Sequence, residues 1–220
     1  MAVPPSREAR PSFWLEFRPA TSNPTFTMIP HASLSDRLQQ ALAASASGAT
    51  DRAIALFRQA TDEEPGSPLP PFLLGAELAQ LGRIEEAIQA YAAATLIAPG
   101  FHIARYQLGL LQFTSGHAAL ALVSWQPLLA LAEDQPLRAF VLGFAALADD
   151  RFSEAVAHFR TGQALNTENA PLNGDIQLVI DKIEALPAAT TSAQAAEPAP
   201  ADEAATSHVL LSNYRGGSLH

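Results

Sequence analysis

The chain has 220 residues, 48% of them hydrophobic, and 22 acidic against 13 basic side chains leave a net charge of -9. That length suits one sizeable core, and the acidic excess with scattered arginines excludes the clustered basic surface that phosphate binding needs. Cysteine is absent, which excludes disulfides and thiolate metal or redox sites, and no run approaches the roughly 18 apolar residues of a membrane span.

Residues 1–30 carry six prolines and no continuous apolar segment, so they read as a disordered leader rather than a secretory signal. The expected location is the cytoplasm. Within the leader, "PSFWLEF" offers Phe13, Trp14 and Phe17 as anchors. Met28 offers a second start, which would make the first 27 residues a gene-model artefact.

From residue 31 the chain repeats. The landmarks Leu74-Gly75, Gly82, Ala87, Tyr91, Ala94 and Pro99 return 34 residues later as Leu108-Gly109, Gly116, Ala121, Trp125 and Leu128. They return again as Leu142-Gly143, Asp150, Ala155, Phe159, Gly162 and Thr167, and one period earlier as Gly48, Ala53, Phe57, Ala60 and Pro65. A fixed period of this kind identifies a repeat architecture before any secondary structure is assigned. Each unit reads as two amphipathic helices: Leu74, Leu78 and Leu81 mark the first, and Ile84, Ala87, Ile88 and Tyr91 the second. Small residues at 75, 87 and 94 let two helices approach closely, with the ring at 91 filling the space beside them. Gly82 ends the first helix, and Pro99 stops the second.

This period and residue pattern resemble the tetratricopeptide repeat family. The resemblance implies an all-α fold, a right-handed α-solenoid of four helix pairs over residues 31–186. Its units are 34–67, 68–101, 102–135 and 136–169. Residues 170–186 form a capping helix, with Ile176, Val179, Ile180 and Ile183 on one face; a solenoid needs such a half-polar end. Some positions depart from the family pattern. Gln40 and Ala41 stand where it has leucine and glycine, and Asp150 and Thr167 replace the turn glycine and closing proline of the fourth unit. Pro127 falls inside the second helix of the third unit, where a missing N–H predicts a kink or a restart.

Ligands of tetratricopeptide repeats lie along the first helices, at positions 2, 5, 9, 12 and 13 of each unit. The resemblance therefore implies a partner-binding groove of Leu38, Leu42, Phe72, Ala76, Tyr106, Leu110, Phe113, Phe140 and Phe144. Phe72, Tyr106 and Phe140 fit core packing and ligand contact equally; Leu110 and Phe144, at the more open position 9, favour contact. Family members that hold a terminal carboxylate do so with lysine and asparagine. Phe72, Ala76, Tyr106 and Leu110 stand at those positions here, so no carboxylate clamp is expected. The expected partner is another protein or peptide with apolar anchors, held as an adaptor or chaperone-like module holds a client.

Residues 187–206 are periodic in nothing and contain no base, which predicts a disordered tail. Across 208–217, in "HVLLSNYRGG", apolar density rises abruptly to a short motif of Val209, Leu210, Leu211, Tyr214 and Arg215. A linker of about 20 residues spans about 25 Å on average, so the motif has the reach for self-association, in its own groove or a neighbour's. A third reading is a regulatory subunit of an enzyme carried on another chain. Catalytic, metal and cofactor motifs are missing from the sequence: there is no glycine-rich phosphate loop, no H-E-x-x-H and no G-x-S-x-G. His102, His117 and His158 lie 15 and 41 residues apart, which gives no helical-face metal pair.

Overall fold

A computed structural model of the chain describes residues 34–186. The expected leader and tail, with Val209, Leu210, Leu211, Tyr214 and Arg215, lie outside the described residues. Among those described, nine α-helices and no strand occur. They are α1 (Asp36–Ala46), α2 (Thr50–Glu63), α3 (Leu69–Gln80), α4 (Ile84–Ile97), α5 (His102–Thr114), α6 (Ala118–Trp125), α7 (Pro136–Ala148), α8 (Phe152–Leu165) and α9 (Ala170–Glu184). A 3-10 turn, Gln126–Ala130, follows α6. Successive helices pack on one another, the arrangement of an α-solenoid.

The first helix forms although Gln40 and Ala41 depart from the repeat pattern. Ser35 caps it by accepting from the Leu38 N–H at 3.3 Å, and Asp36 faces the positive end of the helix dipole. Leu38, Ala41 and Ala44 then share the buried face, so a small residue at 41 packs as well as a glycine would.

Every helix pair turns in the same way. The N–H groups of Ala49, Arg83, His117 and Arg151 donate to the carbonyls of Ala44, Leu78, Gln112 and Ala146, each at 2.9 Å. The residue before each donor is left-handed: Gly48, Gly82, Gly116 and, at φ 60°, Asp150. This doubly bonded turn closes the carbonyls that a helix C-terminus leaves open. Aspartate tolerates the left-handed region better than most residues, so the turn survives without glycine.

Within the pairs, small residues meet large rings. A Cβ on Gly75 would stand 2.8 Å from the Tyr91 ring, and one on Gly143 would stand 2.5 Å from that of Phe159. The third pair carries the largest ring, Trp125, and places Leu128 where Ala60, Ala94 and Gly162 stand in the others. Both Trp125 and Leu128 are fully buried. The restart expected at Pro127 takes the form of the 3-10 turn, with the proline in its first positions, where a missing N–H costs least.

At the end of the solenoid, Thr167 supplies no proline stop, and an amide ladder does the joining instead. Asn166 Nδ2 donates to the Asn169 carbonyl and to Asn173 Oδ1, both at 2.8 Å. Asn173 Nδ2 donates back to the carbonyls of Asn166 and Gln163. Asn169 caps α9 by accepting from the Leu172 N–H, while Ile176, Val179, Ile180 and Ile183 are buried. Asn173→Ala removes three of these bonds, including one of the two that the Asn166 amide nitrogen donates. The expected loss is about 1–2 kcal/mol of unfolding free energy. Hydrogen exchange should show faster opening of α9 than of α3.

Candidate functional site

The expected groove residues separate into two groups. Leu38, Phe72, Tyr106, Leu110, Phe113, Phe140 and Phe144 are buried, whereas Leu42 and Ala76 are partly exposed. For Leu110 and Phe144 this corrects the expectation of an open position: they are 5% and 1% exposed. The reason is volume. Trp125 and Leu128 crowd the third pair, and the Phe144 ring fills what is left between the third and fourth. Its centroid lies 5.1 Å from those of Phe113 and Trp125 and 4.9 Å from that of Phe159.

Tyr106 stacks on Trp125 at 6.1 Å and also faces Phe140 and Phe144. Phe72 forms a smaller group with Tyr91 and Phe101. Edge and offset contacts of this kind add about 0.5–1.5 kcal/mol per pair beyond area burial. The Trp125 Nε1–H donates to the Tyr106 carbonyl at 2.9 Å, so the indole is satisfied where it is buried. The rings are thus joints between helices.

Two polar features were not foreseen in the sequence. Glu77 is buried and accepts from the Ser45 hydroxyl at 2.6 Å, joining α3 to α1. Gln112 is also buried, at a position held by Ala44, Leu78 and Ala146 in the other units. Its Oε1 and the Tyr106 hydroxyl have no hydrogen-bond partner. A charged residue between Ala76 and Leu78 was the only sequence signal for the first, and nothing distinguished the second.

Burial raises the pKa of the Tyr91 phenol above its ordinary 10.0. Burial raises that of Tyr106 as well, with the negative charge of Asp175 adding to it. Unfolded tyrosines ionise near pH 10 while the folded ones resist, so the folded state binds more protons above that pH. Stability is therefore complete below pH 10 and falls as pH rises beyond it. The absorbance of phenolate should appear together with loss of helical circular dichroism, and Tyr106→Phe should move that midpoint upward.

Unlike Glu77, the charged groups that form ion pairs are peripheral. Arg37 forks onto Glu63 with bonds of 2.8 and 3.1 Å, Arg83 and Arg58 share Glu86, and Arg151 pairs with Glu154. Such exposed pairs are screened by water and salt and add little to stability. His158 Nε2 lies 3.6 Å from Glu154. Among the described residues, no group of three or more His, Cys, Asp or Glu is placed to hold a metal, and no helix is long and apolar enough to cross a membrane.

Comparison with known proteins places this geometry. Residues 44–112, from the end of α1 almost to the end of α5, match the tetratricopeptide repeat family. No curated protein matches the chain at a significant level. Among solved structures, a chain of the APC/C hetero-tetramer Cut9–Hcn1 superposes with a TM-score of 0.54 at 21% identity, over 67% of this chain and 31% of that one. MamA of Desulfovibrio magneticus RS-1, from its residue 41 onward, gives a TM-score of 0.50 at 18% identity, over 69% of this chain and 90% of its own. At such identities the likeness is one of fold. The matched segment and four turns at one spacing agree with it: the described residues have the helix-pair fold of tetratricopeptide repeats, and residues 44–112 match that family.

Proposed function

We propose that the chain is a protein–protein interaction module, an adaptor or chaperone-like protein that holds an apolar segment of a client along α1, α3, α5 and α7. One observation carries the reading. The partly exposed residues on these helices at the ligand positions of the family are uncharged, among them Leu42, Leu69, Ala76, Ile103, Thr114 and Leu137. An internal client segment would bring apolar side chains to them, whereas a terminal carboxylate would lose its hydration with no countercharge in return. In this reading the buried rings fix the spacing of the trough, and Leu42 and Ala76 meet the client.

Affinity capture with the full chain tests the proposal against the double variant Leu42→Asp, Ala76→Asp. The variant should stay helical by circular dichroism and lose the partners that the parent recovers. Recovery of the same partners by the helical variant would remove the groove from the account.

A further inference from the structure

The second helices of the pairs carry their own signal. Arg58 of α2 donates to Glu86 of α4 at 2.8 Å, and Arg160 of α8 donates to Glu184 of α9 at 2.6 Å. These bonds tie successive second helices, and then the cap, across the outside of the solenoid. The 34-residue period puts Ala92 at the place of Arg58 in the next pair and Leu120 at the place of Glu86. Where α2 and α4 are bridged by charge, α4 and α6 thus present an alanine and a leucine.

Farther along the same faces stand Leu96, 82% exposed, and Val123, 71% exposed, with Leu120 itself 51% exposed. The places equivalent to Val123 hold Ala55, Gln89 and Ala157. Between Glu86 and Glu133 the sequence contains one charged side chain, Arg105, and its guanidinium turns toward the carbonyls of Pro99 and Ser124. Large aliphatic groups left in water on helices whose core faces are already filled mark an interface.

We propose that this α4–α6 ridge pairs with the same ridge of a second copy of the chain. Charge selects the occupant. At a net charge of -9, two copies repel one another over acidic faces, and past the first turn of α4, which holds Glu85 and Glu86, neither copy brings a carboxylate to this ridge. A basic amphipathic helix from another protein would find only Glu85 at one edge, because Glu86 is already held by Arg58 and Arg83. A two-fold contact of apolar ridge with apolar ridge is self-complementary. It uses the second helices, so it stands or falls apart from the client-binding reading on the first.

Sedimentation of the full chain across micromolar concentrations gives the test. The parent should form a reversible dimer that tightens with added salt, as repulsion between like-charged copies is screened. Val123→Glu should weaken self-association by about tenfold or more with helicity unchanged. Ala157→Glu, the same place one pair later, should leave it intact. Val123→Glu should also capture clients as the parent does. A parent that stays monomeric overturns the proposal, as would a Val123→Glu variant that dimerises like the parent. Equal damage by Ala157→Glu, or a dimer that loosens with salt, would do so too.

Discussion

Phe144→Ala is expected to lower the unfolding free energy by about 3–5 kcal/mol, the cost of emptying a fully enclosed ring site. In a domain of this size that is a fall on the order of 10 °C in Tm. The ring touches Phe113 and Tyr106 on α5, Trp125 on α6 and Phe159 on α8, so it couples the third helix pair to the fourth. Stability in a solenoid is a sum of unit terms and neighbour terms. Loss of this joint should therefore also broaden or split the denaturant transition, with α8 and α9 melting first. Phe72→Ala, in the smaller ring group, should keep a single transition. An unchanged midpoint for Phe144→Ala, with client capture abolished, would mean that the ring meets ligand after all.

Gly109→Ala should be nearly as damaging for the opposite reason. The added methyl would be driven into Nε1, Cε2 and Cδ1 of the Trp125 indole, which is fully buried and tied to the Tyr106 carbonyl. The ring has nowhere to retreat, and overpacking of this kind costs about 1–3 kcal/mol or more. Gly174→Ala provides the contrast. Nothing lies within 4 Å of a Cβ at that position on α9, so the better helix former should stabilise by about 1 kcal/mol. One chemical change with two opposite signs, followed by the urea midpoint, separates close approach from general intolerance. If both substitutions destabilise alike, the contact between Gly109 and Trp125 is not what makes the first one costly.

The architecture was legible because turns leave local marks. Gly48, Gly82, Gly116 and Asp150 recur at one spacing, and each closes the same pair of backbone bonds. Sequence position says less about what a side chain faces. At position 9, Leu42 and Ala76 stay partly open while Leu110 and Phe144 are enclosed. The difference comes from Trp125 and Leu128, which lie on other helices and shift the volume available. Gln112 was invisible for a related reason, since a glutamine in a helix normally faces water. The exposed ridge, by contrast, left a mark that composition totals hide: acidic residues abound in the chain, yet none falls between Glu86 and Glu133.

The indole bond described above also equips the molecule with an optical gauge. Trp14 and Trp125 are the two tryptophans of the chain, so Trp14→Phe isolates the emission of a ring held dry at the middle of the array. Its spectrum should be blue-shifted in the folded state and should move to the red when the third pair opens. A calorimetric trace sums over every repeat, whereas this colour change would time the failure of one.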